Sequence, residues 1–267
     1  MAILYYKDEY VKLINGDCLE IMQKIPDGKI DMILCDLPYG TTACKWDTII
    51  PFEPLWEQYK RIIKDNGAIV LTASQPFTSA LIMSNIEWFK YEWVWVKNRP
   101  SGFAQAKNKP MAKHENILVF SNGVTVHKAQ SNKRMPYNPQ GLKPLGKVVK
   151  NNSGKMDKDS VFARRKNAVE SYTQEYTGYP DTVLNYDCET GYHPTQKPSK
   201  LFEYLIKTYT NEGDLVLDNC VGSGTTLIAA KNTNRKAVGI ELEEKYCEIA
   251  KNRLLKASDT NGCKTTS

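Results

Sequence analysis

"DLVLDNCVGSGTTLIAAKNTNRKAVGIELEEKY", residues 214–246, decides the fold. Leu215 to Asp218 is an apolar run that ends in an acid. Gly222 and Gly224 follow, where a missing Cβ lets the backbone come close to a ligand. The spacing then predicts a helix over Thr225–Lys231 and a strand over Ala237–Glu241. Strand, glycine turn, helix, strand is the unit of a wound parallel sheet. Glu241 stands 23 residues after Asp218, where an acid can accept hydrogen bonds from both hydroxyls of a ribose.

A third glycine usually completes a dinucleotide loop, but here Gly224 is followed by Thr225 and Thr226. Asp218 ahead of the loop would oppose a pyrophosphate and suits a ligand that carries an ammonium and a sulfonium. S-adenosylmethionine is such a ligand. A bare G-x-G would read only as a turn; the two strands and two acids around it carry the inference.

Working outward, the same alternation recurs. Strands are expected at 11–14, Ile30–Cys35, Ala68–Thr72, Tyr91–Lys97 and Asn116–Phe120, and helices at 18–25, Phe52–Ile63 (with a stop at Asn66-Gly67), Phe77–Asn85, Ser199–Tyr209 and Glu243–Leu255. The pattern is α/β. Between Ser121 and Tyr192 the periodicity lapses into Pro, Gly, Asn and Lys, which reads as a loop-rich inserted lobe. The expected organisation is a catalytic half at 1–121, an insertion at 122–192, a cofactor half at 193–257 and a flexible tail at 258–267. Alternate spacing puts Trp93 and Trp95 on one strand face, expected to be core.

"DLPYG", Asp36–Gly40, ends the strand Ile30–Cys35. Pro38 freezes the turn and offers a carbonyl without a backbone N–H. Asp36 and that carbonyl are two acceptors that match the two hydrogens of an exocyclic amino group, and Tyr39 offers a face for a base. A strand-terminal turn with a core tyrosine is the plainer reading of the corner taken alone.

The net charge of +6 is uneven. Residues 122–166 hold 11 Lys/Arg against 2 Asp/Glu, a local balance of +9, which points to a polyanionic partner. The seven cysteines contain no C-x-x-C pair, and the odd number argues for free thiols in a reducing compartment. No apolar run nears the roughly 20 residues a bilayer requires, so a soluble cytoplasmic protein without membrane partners is expected. With three histidines at non-metal spacing, no metal site is expected.

These motifs together resemble the beta group of amino-methylating DNA methyltransferases. "DLPYG" resembles their D-P-P-Y motif, "LDNCVGSGTT" their L-D-P-F-x-G-S-G-T-T loop, and "HPTQKP" (193–198) the segment that precedes that loop. Leu37 stands where the first proline would be. Asn219-Cys220 replaces Pro-Phe, whose aromatic often covers the cofactor adenine, so Cys220 gives a smaller lid. The resemblance implies a circularly permuted Rossmann-like S-adenosylmethionine-dependent methyltransferase sheet with an inserted basic target-recognition lobe. It implies Asp36, Pro38 and Tyr39 as catalytic residues. It places Asp17, Cys18, Asp36, Thr195, Lys197, Asp218, Cys220, Gly222, Ser223, Gly224, Thr225, Thr226 and Glu241 around the cofactor, with Asp17 at its adenine amino group; Asp17 also reads as a helix N-cap. Double-stranded DNA is the implied partner, with Lys97, Arg99, Lys133, Arg134, Arg164 and Arg165 as candidate contacts. A homodimer and a cognate restriction endonuclease are further partners the resemblance admits, and it implies a nucleoid-associated enzyme of bacterial, archaeal or phage origin. The implied reaction is methylation of a flipped adenine at N6. N4-cytosine is the near alternative, and a non-catalytic DNA-binding module or a dehydrogenase the distant ones.

Overall fold

The computed structural model describes residues 2–41, 47–126, 131–150, 171–192 and 196–262. In chain order the elements are β1 (Ile3–Lys7), β2 (Val11–Asn15), α1 (Cys18–Met22), β3 (Ile30–Cys35), α2 (Phe52–Ile62), β4 (Ile63–Ala73), α3 (Phe77–Ser84), β5 (Phe89–Ser101) and β6 (Ala112–Phe120). There follow β7 (Lys143–Lys150), β8 (Ser171–Thr177), β9 (Val183–Asn185), α4 (Ser199–Tyr209), β10 (Leu215–Asp218), α5 (Thr225–Asn232), β11 (Lys236–Glu241) and α6 (Glu244–Gly262). Two compact units result: residues 1–138 with 182–267, and Pro139–Asp181. The second unit holds the antiparallel pair β7–β8.

The first unit is built on a nine-stranded sheet in the order β1-β2-β11-β10-β3-β4-β6-β5-β9. Strands β2, β11, β10, β3 and β4 are mutually parallel. Both faces of β3 are covered. Met32 and Leu34 enter one core with Leu205, Leu227 and Leu254, while Ile33 and Cys35 enter the other with Met22, Leu55 and Tyr59. Burial on both faces is why β3 reads as an unbroken apolar run. From β10 the chain winds toward β11, and from β3 toward β4. The carboxyl ends of β10 and β3 therefore flank a switch point, where open sheets bind ligands. No helix among the described residues is long and apolar enough to cross a membrane.

Several expectations are corrected. Strand β1 was not foreseen; it is an edge strand whose Ile3 and Leu4 are exposed, so it lacks a buried stripe. Helix α2 ends at Ile62, before Asn66-Gly67. A Cβ on Gly67 would stand 2.7 Å from Ile63 Cγ1 and 2.8 Å from the Asp31 carbonyl, so this glycine serves close strand approach. Strands β5 and β6 extend beyond 91–97 and 116–120. The stretch 121–192 is not simply loop: it contains β7, β8 and β9, and the compact unit covers only 139–181. Met135 and Leu184 belong to the main core. The backbone of α6 stays helical to Gly262, four residues past the expected start of the tail. Trp93 and Trp95 are both buried, and their indole N–H groups donate to the Tyr209 hydroxyl (2.6 Å) and the Tyr186 carbonyl (2.8 Å).

Candidate active site

Asp218 closes β10 and Asp36 follows β3, and these strands are hydrogen-bonded neighbours, with Leu217 beside Ile33. Both acids line one cavity of about 410 Å³. Asp17, Cys18, Pro38, Tyr39, Lys197, Cys220, Gly222, Ser223, Thr225, Thr226 and Glu241 share its wall. Stretches from both ends of the chain thus meet at one crevice.

At the corner, Asp36 Oδ1 accepts from the Tyr39 hydroxyl at 2.8 Å and from the Thr72 hydroxyl. Asp36 Oδ2 accepts from Lys197 Nζ at 2.7 Å. The Tyr39 ring stacks on Phe77 with centroids 5.2 Å apart, and Lys197 Nζ lies 5.5 Å from the Tyr39 centroid. Burial, with the Asp36 charge added, holds the Tyr39 phenol well above its usual pKa, so it stays a neutral donor. For Lys197 burial favours the neutral amine, but Asp36 and Glu115 outweigh it and raise the pKa.

At the glycine loop, Asp218 Oδ2 accepts from the Thr226 hydroxyl (2.5 Å) and Oδ1 from the Cys220 N–H (3.0 Å). Burial pushes its pKa up to about 6 despite these bonds, with the Asp36 charge adding to the rise. Glu241 Oε2 accepts from the Gly222 N–H (2.7 Å) and Oε1 from the Glu243 N–H (2.8 Å); burial raises its pKa too. A Cβ on Gly222 would project into open space, so this glycine leaves the cavity clear. Gly224 differs from the expectation. It adopts φ +88° outside the cavity wall, and a Cβ there would stand 2.9 Å from that of Ala250, so it serves the packing of α6. Asp17 caps α1, its Oδ1 accepting from the N–H groups of Leu19 (2.8 Å) and Glu20 (3.1 Å), while the residue stays exposed at the cavity. Asn219, where proline was expected, accepts from the buried Tyr59 hydroxyl at 2.5 Å, which fixes the loop by a different means.

The candidate DNA contacts are dispersed. Arg99 is exposed near the end of β5. Lys97 is a correction: it is buried, with Nζ 3.3 Å from Glu115 Oε1, so its charge faces inward rather than toward a phosphate. Lys133 and Arg134 are exposed, but Asn66 donates to the Arg134 carbonyl (2.9 Å). That contact puts them at the start of β4, about 20 Å of strand from Thr72 and Asp36, away from the cavity mouth. Thr195, Arg164 and Arg165 lie outside the described residues.

Sequence reasoning missed Thr72, Phe77, Glu115 and Arg253. The first three reach the corner through strand register and helix packing. Arg253, on α6, donates from Nη1 to the Ser223 carbonyl (2.7 Å) and hydroxyl (2.9 Å), pinning the glycine loop from behind. It is buried, although a helix arginine ordinarily reads as a solvated charge. Among the described residues no cluster of His, Cys, Asp or Glu could hold a metal ion.

Comparison with known proteins gives a consistent picture. The profile of a family described as DNA methylase matches residues 30–252. The chain is 28% identical to Type II methyltransferase M2.DpnII of Streptococcus pneumoniae, over 96% of this chain and 94% of that protein. It is also 28% identical to DNA adenine methyltransferase YhdJ of Escherichia coli (strain K12), over 95% and 85%. The crystal structure of the M1.HpyAVI–SAM complex superposes with a TM-score of 0.59 at 24% identity, covering 91% of this chain and 99% of that one. The cytosine-N4-specific PvuII DNA methyltransferase gives 0.63 at 15% identity, covering 96% and 93%. These two are likenesses of fold.

Proposed function

The chain belongs to the DNA methylase family, and from that premise we propose that it moves a methyl group from S-adenosylmethionine to the N6 amino group of an adenine flipped out of double-stranded DNA. The observation that carries this reading is the shared cavity of Asp36 and Asp218 at neighbouring strand ends. Its lining fits the cofactor. The acids Asp17, Asp36, Asp47, Asp218, Glu241 and Glu243 share the lining with one base, Lys197, a surplus of anions that suits an ammonium and a sulfonium and repels a pyrophosphate, which also disfavours a dinucleotide. When bound, S-adenosylmethionine supplies an electrophilic methyl group.

In this reading Glu241 receives the ribose hydroxyls, Asp17 and Cys18 border the adenine, and Asp218 faces the cationic end. Asp36 accepts one hydrogen of the target amine and the Pro38 carbonyl the other. The amine nitrogen gains positive charge as it attacks, and Asp36 lies where that charge develops. Positioning carries much of the barrier reduction, so no strong base is needed. Tyr39, held neutral, keeps Asp36 aimed. The test is digestion of methylated plasmid to nucleosides. N6-methyl-2′-deoxyadenosine is expected, and N4-methyl-2′-deoxycytidine alone would overturn the choice of base.

The loop between β5 and β6 supplies a duplex-facing surface. It carries Lys107 and Lys109, with Arg99 beside it at the end of β5, and Phe103 on it is 81% exposed. Cations there meet phosphates, while an exposed ring can fill the gap a flipped base leaves. Phe103→Ala is therefore expected to lower kcat/KM on duplex DNA by roughly 10- to 100-fold, yet far less on a substrate whose target base is already mismatched. Equal losses on both substrates would remove Phe103 from flipping.

A further inference from the structure

Behind Asp36 runs a row of alternating charges. Lys197 Nζ lies 2.7 Å from Asp36 Oδ2 and 3.4 Å from Glu115 Oε2, and Lys97 Nζ lies 3.3 Å from Glu115 Oε1. Side-chain exposures are 6% for Lys197, 8% for Lys97 and 15% for Glu115. The Ser101 hydroxyl, 3.3 Å from Lys97 Nζ, ends the row. Strand register builds it: Glu115 on β6 is opposite Trp95 on β5, and Lys97, two residues along, is its diagonal neighbour on the same face.

Glu115 and Lys97 do not line the cavity, so they do not touch a ligand there. Their effect passes through Lys197. Two ammonium groups against two carboxylates leave the row neutral. Without Glu115 the row, Asp36 included, would pass from neutral to a net positive charge beside the reacting centre. Burial makes such an imbalance costly, because water screens it poorly.

We propose that Glu115 and Lys97 are positioning residues that act through Lys197 to keep the row that begins at Asp36 neutral as a whole, so that the cavity accepts a cationic ligand and an amine becoming cationic. The proposal rests on the methyl-transfer reading. It separates a charge role from a packing role, because neutrality can be restored by a second substitution that restores no contact.

The test uses the full chain with S-adenosylmethionine and S-adenosylhomocysteine, which differ by one methyl group and the sulfonium charge. Calorimetry gives the ratio of their dissociation constants. Glu115→Gln is expected to weaken S-adenosylmethionine about tenfold more than S-adenosylhomocysteine, and to slow methyl transfer about 10- to 100-fold. Lys97→Met alone is expected to move the binding ratio the opposite way. The pair Glu115→Gln with Lys97→Met is expected to return ratio and turnover to within a few-fold of the parent. A double variant no better than Glu115→Gln, or equal weakening of both ligands, would overturn the inference alone. A parent protein that binds neither ligand would overturn the cofactor reading with it.

Discussion

Alanine at Asp36 is expected to lower methyl transfer by roughly 10²- to 10³-fold while duplex binding at fixed salt changes less than about threefold. The acid accepts from Tyr39, Thr72 and Lys197 at one corner, so its loss removes the proposed acceptor for the target amine. Alanine also leaves Lys197 paired with Glu115 alone. Asp36→Asn is therefore the cleaner companion, since it keeps the shape and one acceptor oxygen. It should fall between parent and alanine in single-turnover rate. Unchanged turnover in both variants would place the chemistry elsewhere.

Asp218→Asn is expected to stabilise the ligand-free protein at pH 8 and to weaken S-adenosylmethionine by about 100-fold. The two effects share a cause. Burial holds the Asp218 pKa at about 6, above its ordinary 3.8. The native state then keeps this proton more tightly than the unfolded chain does. Its contribution to stability is fully present below pH 3.8 and is lost as pH rises through about 6. At pH 8 the ionised acid costs the fold on the order of 3 kcal/mol, which asparagine removes. A cationic ligand offsets the same cost, so in the parent protein cofactor affinity should weaken as pH falls below about 6, approaching tenfold per unit. Thermal unfolding at pH 5 and pH 8, with calorimetry across that range, measures both. A variant that binds cofactor as tightly as the parent would show that Asp218 does not face the cation.

What the sequence revealed, and what it hid, follows from where the determining contacts lie. The strand Ile30–Cys35 and the loop around Gly222 were legible because a run buried on both faces, or a turn requiring positive φ, leaves its mark within a few residues. Asp36 and Asp218 could be placed together because both end parallel strands of one sheet. Thr72 and Glu115 were invisible because register across neighbouring strands brings them to the corner, and register is not written in one strand alone. Lys97 looked like a surface cation because its buried partner is 18 residues away. Lys133 and Arg134 looked like DNA contacts on local charge alone; their position beside Asn66 depends on the antiparallel return of β6 along β4. The role of Gly224 turned on Ala250, in a helix 26 residues further on. Strands β7 and β8 escaped notice because their residues are mostly exposed and show no buried face.

The strand order also bears on how the chain reaches this state. β2 and β3 follow one another in sequence, yet β11 and β10 from the other end of the chain lie between them. Until those two strands are synthesised, β2 and β3 face a slot two strands wide, near 15 Å between their axes. The unpaired backbone edges that border that slot, beside apolar residues such as Leu34, then stand open to other chains during translation. Closing it joins segments about 200 residues apart, a slow topological step, so crowding during synthesis should matter more to the yield of this protein than to its finished stability.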